Sequence, residues 1–434
     1  MDLWIRGGTV VAPDGVATRD LFVSDGRFCE AAPEGATVID AAGKLVFPGL
    51  IDTQVHFREP GLTHKEDLAS GSLAAVAGGV TTFFEMPNTK PATTTPDALE
   101  DKLQRAAGRA WADHAFFIGA TAENADRLDD WEHLPGCCGV KIFMGSSTGS
   151  LLVDDAAVVE RILRGGQRPV AVHAEDEARL RERYAAVEVG SPYNIHPEVR
   201  DPQAALIATT RLLDLAEKTG RRVHVLHIST ADEIALLRAR DLKGLVTAEA
   251  TPNHLFLEAP DCYNRFGSRA QMNPPVRDAH HRDAIRQGVV DGVITCIGSD
   301  HAPHTLEEKD KPYPTCPSGI PGVQTTLGLM LTAVRDGWLS LQDVARLTAA
   351  APAAIYEIRN KGAIAAGHDA DLTIVDPEIT QPLPEQWLRS RAGYSPFCGV
   401  ELAGWPVVTI LRGEVVYRDH EPVGDPIGAP VAVG

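Results

Sequence analysis

Gly49-Leu50-Ile51-Asp52-Thr53-Gln54-Val55-His56-Phe57-Arg58-Glu59-Pro60-Gly61 is the stretch whose reading decides the fold. An apolar lead runs into alternating residues. Side chains two apart on a strand share a face, so Gln54, His56 and Arg58 are expected together. A histidine and a cation at a strand end, followed by a Pro-Gly turn, suit the mouth of a barrel, where a metal and an anionic group can meet.

Working outward, the same apolar strand text recurs at 81–87, 114–121, 139–144, 170–175, 222–230, 245–251 and 294–300, which with 49–57 makes eight strands. Amphipathic stretches separate them. Asp201-Pro202 supplies an N-cap and a first-turn proline and Gly220 a stop, predicting a helix between them, and a second is expected from Thr63 toward Gly78-Gly79. Eight alternating strand-helix units predict a (β/α)₈ barrel, an α/β TIM-type fold. On either side the text changes to short strands and turns. Leu3-Trp4-Ile5-Arg6, Thr9-Val10-Val11 and Asp20-Leu21-Phe22-Val23 precede the barrel, with Ser24-Asp25-Gly26-Arg27 as a hairpin turn; 370–375, 406–411 and 412–417 follow it. The expected organisation is a small β-sandwich domain built from 1–48 plus 350–434, with the barrel of 49–349 inserted between its halves.

At 434 residues the chain can bury a large core without a disulfide. Its net charge of −18 argues against nucleic acid or an anionic membrane as partner, so an anionic substrate would need local positive charge. Seven scattered cysteines, two of them adjacent at Cys137-Cys138, offer no ribbon or redox spacing and read as reduced core thiols. No apolar run is long enough to span a membrane, and the first residues lack the pattern of a signal peptide, so a cytoplasmic location is expected.

Chemistry on this fold sits where strands end. Those ends carry Gln54, His56 and Arg58; Met86-Pro87-Asn88; Lys141; His173; His227; and Asp300, His301 and His304. Singly, each has a plainer explanation, a lone histidine being more often a core or rim residue. As a set on separate strands, they have the composition of a metal site, with His173 and His227 as ligand candidates. His224, three residues before His227, is expected on the opposite strand face. Lys141 sits in an apolar strand, where an ammonium beside a metal is costly; an ion pair with Asp300 is the alternative, and the residues alone do not choose.

The stretches DTQVHFREPGLTHKEDLASGSLAAVAGGVTT, EMPNTKPATTT, VKIFMGSSTG, VHAEDE, VLHIST, QMNPPVR, GSDHAPHTLEEK and SGIPG, in this order, resemble the dihydroorotases of the amidohydrolase superfamily, and the similarity runs from about 3 to 418. The resemblance implies zinc-dependent, reversible hydrolysis of a cyclic amide, interconverting (S)-dihydroorotate and N-carbamoyl-L-aspartate in pyrimidine synthesis. It implies a CO₂-derived carbamate on Lys141 bridging two zinc ions, with His56, His173, His227 and Asp300 as further ligands and Asp300 as the proton carrier. It also assigns Arg58, Asn88 and His304 to the substrate carboxylate and Asn273 to its ring, with the 318–322 loop closing over it. One position departs from the family's His-x-His, because Gln54 replaces the first histidine. An amide is a poorer zinc ligand than imidazole, so one or two ions per chain are both expected readings. The rival functions are an allantoinase or hydantoinase, or a degenerate scaffold protein. Homo-oligomerisation, association with other pyrimidine-pathway enzymes, the role of His254 and whether 305–317 forms a lid stay open at this level.

Overall fold

Gly49 joins two sheets, and its lack of a side chain is a requirement of that junction. A Cβ there would lie 2.2 Å from Thr81 Oγ1, while its N–H donates to Asp371 O at 2.9 Å. The computed structural model describes residues 2–147 and 151–434. Before Gly49 come β1 (Leu3–Ala12), β2 (Gly15–Ser24), β3 (Arg27–Cys29), β4 (Thr37–Asp40) and β5 (Leu45–Pro48). After it come the barrel strands β6 (Leu50–Val55), β7 (Val80–Glu85), β8 (Asp113–Gly119), β9 (Cys137–Phe143), β10 (Val170–His173), β11 (Val223–Val225), β12 (Val246–Ala250) and β13 (Cys296–Ile297). The chain finishes with β14 (Leu372–Pro382), β15 (Glu401–Leu411), β16 (Glu414–Arg418) and β17 (Glu421–Pro422).

β6 to β13 pair in sequence order, every pair parallel, and the cylinder closes where His56 N donates to His301 O at 2.7 Å beside a Val55–His301 bridge. Eight apolar segments with crossover helices close in this way because parallel strands must be buried on both faces. The helix Pro202–Thr219 has the expected signals: Asp201 caps Ala204 N, proline occupies the first turn, and Gly220 ends it at φ +73°. The helix expected from Thr63 begins later, at Leu68, where Asp67 and Ser70 form a capping box. Inside the barrel, Phe84, Phe117 and Tyr356 meet at ring distances of 5.2–6.2 Å and pack with Ile51, Ala171 and Leu226. Tyr356 follows the helix Ala351–Ile355 and meets rings from β7, β8 and β11, so it plugs the axis.

The outer strands form one nine-stranded sheet in the order β17-β16-β15-β14-β5-β1-β2-β3, with β4 on β1. The two short strands expected at Leu3–Arg6 and Thr9–Val11 are one strand, irregular between Ile5 and Gly8. β1 pairs with β4 through its first residues and with β5 through Thr9 and Val10. The Ser24–Arg27 hairpin turns through Asp25 and Gly26, both at positive φ. Among the described residues no helix is long and apolar enough to cross a membrane.

Candidate active site

The strand ends converge on one rim. A single cavity of about 20 Å³ is lined by Gln54, His56, Arg58, Asn88, Lys141, His173, His227, Asn273 and Asp300, together with Phe143, Ser147, Ala302, Ser318 and Gly319. His304 stands behind Arg58. Larger hollows of about 340 and 560 Å³ lie away from these residues. Arg58, His227 and Asp300 have φ of +67°, +39° and +47°. Left-handed backbone costs a residue with a Cβ about 1–3 kcal/mol, so three such residues at one rim mark where local preference yields to the site.

The same feature corrects the expectation for His224. That residue faces inward, 5.7 Å ring to ring from Tyr356. Its strand ends at Val225, and the left-handed turn at His227 breaks the alternation, so both histidines point into the barrel.

Asp300 Oδ1 lies 3.1 Å from Gln54 Nε2 and 3.1 Å from His56 Nε2. His56 Nδ1 donates to Asn88 Oδ1 at 2.7 Å, and burial lowers the His56 pKa, keeping the ring neutral. Its bare Nε2 therefore faces a carboxylate oxygen, an arrangement that a cation between them relieves. Gln54 Oε1 is buried without a hydrogen-bond partner among the described residues. On the other side, His173 Nδ1 and His227 Nε2 are 3.0 Å apart. Glu175 lies 3.0 Å from His173 Nε2, off the line of a hydrogen bond, and Arg200 holds that carboxylate. His227 Nδ1 has no partner among the described residues. Two buried, neutral imidazoles aimed at one point fit a metal's donor set.

Lys141 is buried at 1 % exposure, with its ammonium 4.5 Å from the Phe143 ring centre. Burial pushes its pKa down to about 7, against the pull of Asp300 and Glu249. An amine half neutral at neutral pH is a nucleophile toward CO₂, whereas an ordinary lysine is almost fully protonated.

Arg58 is 1 % exposed, donates from Nε to Pro303 O at 3.1 Å, and lies 3.2 Å from His304 Nε2. Burial brings its pKa down to about 10. Among the described residues no carboxylate lies within ion-pair distance of its guanidinium. His304 also sits 3.1 Å from Lys65 Nζ, whose ammonium is ion-paired with Glu308 Oε1 at 3.0 Å, so the positive charge on this wall of the cavity is that of Arg58. Asn273 Oδ1 is 3.1 Å from His196 Nε2. His254 is occupied structurally: Nδ1 lies 2.9 Å from Thr251 Oγ1 and Nε2 3.1 Å from Pro274 O. His301 is likewise used by the fold, its Nδ1 accepting from Gly322 N and Val323 N.

Sequence reasoning missed Glu175, Lys65 and Ser147. Glu175 could have been noticed two residues after His173; nothing local distinguishes Lys65 from a surface lysine. The stretch 305–317 holds the helix Leu306–Lys309, and Lys309 is buried, donating to Gln271 O, Pro317 O and Gly319 O at 2.9–3.2 Å. Gly319, at φ +150°, presses against Ala302 so closely that a Cβ would lie 2.2 Å from its carbonyl.

Residues 45–416 match the Amidohydrolase family. Dihydroorotase of Methanosarcina acetivorans is 35 % identical, covering 96 % of this chain and 92 % of its own length. That of Halobacterium salinarum is 37 % identical over 92 % and 96 %. Among solved structures, L-hydantoinase from Arthrobacter aurescens superposes with a TM-score of 0.91 at 30 % identity, covering 99 % of both chains. With the family matched over most of its length and such relatives along nearly all of it, this chain belongs to the amidohydrolase family.

Proposed function

We propose that this cyclic amidohydrolase is a dihydroorotase, hydrolysing the ring amide of (S)-dihydroorotate reversibly to N-carbamoyl-L-aspartate in pyrimidine synthesis. The observation that carries the reading is Arg58: a buried guanidinium with no carboxylate partner among the described residues, on the wall of the cavity that holds the metal-type donors. A substrate carboxylate supplies the missing charge, and Arg58 can meet it at two points. Asn88 and His304 flank that position and Asn273 faces the ring side.

The family implies a metal cofactor, and the donors fit zinc, which Lys141 as its carbamate, His173, His227, His56 and Asp300 would hold. When bound, zinc polarises the amide carbonyl and acidifies the attacking water. Asp300 takes the proton from that water and passes it to the leaving nitrogen. The cavity of about 20 Å³ has room for roughly one water, less than a substrate ring needs. Reconstituting the metal-stripped protein with zinc is expected to need bicarbonate for full activity; equal recovery in its rigorous absence would remove the carbamate. We also take the chain as a barrel of 49–349 with a smaller unit of 1–48 plus 350–434, from which Tyr356 reaches into the barrel, working in the cytoplasm.

The hydantoinase structures favour a second reading, ring opening of an uncharged substrate. Competition between the two decides. (S)-Dihydroorotate should be turned over far better than dihydrouracil, and Arg58→Lys should raise KM for dihydroorotate at least tenfold with metal content intact. Equal kcat/KM for both substrates in the wild type would overturn the assignment.

A further inference from the structure

We propose a second cation site inside the barrel, below the mouth, in which His224, Glu249 and Cys296 bind a zinc ion that ties β11, β12 and β13 together. These three are fully buried, and their donor atoms lie within 4.8 Å of one another. His224 Nε2 is 3.5 Å from Glu249 Oε2 and 3.7 Å from Cys296 Sγ. Zinc bonds of about 2.0 Å to nitrogen and oxygen and about 2.3 Å to sulfur, set tetrahedrally, hold such donors roughly 3.3–3.6 Å apart.

The hydrogen bonds around the cluster orient it toward a cation. Thr247 Oγ1 donates to Val223 O at 3.4 Å, so at 2.7 Å from His224 Nδ1 it accepts that ring's N–H. Nε2 is then bare and faces a carboxylate and a thiol. Glu249 Oε2 accepts from Thr53 Oγ1 at 3.2 Å, but its Oε1 has no partner among the described residues. A thiol proton given to Nε2 would satisfy two atoms of the group and leave Glu249 Oε1 unpaired. A cation among His224, Glu249 and Cys296 instead neutralises the carboxylate and converts the thiol to thiolate. Imidazole, carboxylate and thiolate together suit zinc rather than calcium or magnesium.

The site also lies where the barrel has least backbone pairing. β11 has three residues and β13 two, joined to β12 by short ladders. His224 and Cys296 stand three and four residues before His227 and Asp300, so the ion would sit roughly 10 Å below the mouth.

Sulfur separates this site from the mouth, whose donors are nitrogen and oxygen, so failure of one reading does not disturb the other. Zinc-edge X-ray absorption on wild-type protein loaded with zinc should show a sulfur neighbour at about 2.3 Å. Cobalt loading should give a near-ultraviolet thiolate-to-cobalt band that saturates at one ion per chain. Cys296→Ser and His224→Gln should each lose the band and one ion per chain. A zinc shell without sulfur in the fully loaded wild type overturns the site, as does a cobalt band that survives Cys296→Ser.

Discussion

Gln54 is the side chain on which the stoichiometry of the proposed metal centre turns. Its amide nitrogen donates to Asp300 Oδ1, the oxygen that also faces His56, while its own oxygen has no partner among the described residues. An N–H aimed at that position competes with a cation for the same lone pairs. An imidazole there would offer a lone pair instead. Gln54→His is therefore expected to raise the metal content by up to one ion per chain, measured by elemental analysis on matched samples. Unchanged content would show that Gln54 does not limit binding. The direction of the activity change depends on whether the new ring finds a partner for its second nitrogen.

At the scale of elements, the mouth depends on loops held from beneath. The helix Leu306–Lys309 exists because Thr305 and Glu308 form a capping box, and it carries the Lys309 ammonium to three carbonyls. Two of these belong to Pro317 and Gly319, on the loop that walls the cavity, and His304 adds a contact to Ser318 O at 3.0 Å. Lys309→Met leaves Pro317 O without its donor, while Gln271 O keeps Gly319 N and Gly319 O keeps the Tyr394 hydroxyl; one buried carbonyl left unpaired costs about 1–3 kcal/mol. The expected result is a lower denaturation midpoint together with a several-fold higher KM, because the loop loses its anchor. A variant with wild-type KM and midpoint would show that the loop is held by its other contacts alone.

Across the whole molecule, buried charge couples the site to stability. Burial alone would raise the Glu175 pKa, but the Arg200 guanidinium outweighs it and holds the carboxyl well below the usual carboxylate range. The folded value is below the unfolded one of about 4.3, so this carboxylate stabilises the fold above that pH and stops doing so as pH falls. Urea midpoints should therefore drop more steeply between about pH 5 and pH 3 in the wild type than in Glu175→Gln. Identical slopes would mean that other carboxylates carry the acid sensitivity.

Several features were already legible in the chain, because they rest on local rules. Eight apolar runs between amphipathic ones call for a parallel sheet buried on both faces, which a closed eight-stranded barrel provides, and the caps Asp201 and Gly220 set their helix without outside help. Strand ends named His56, Lys141, His173, His227 and Asp300, and all line one cavity. What failed was parity. His224 and His227 cannot both face inward by alternation, and the left-handed backbone at His227 is what breaks it. Distance in the chain hid the rest. Glu249 meets Thr53 across 196 residues and Gln54 meets Asp300 across 246. The residue types were fixed by the sequence, but which lone pairs face each other was decided only when the cylinder closed, since such contacts carry no local periodicity to read.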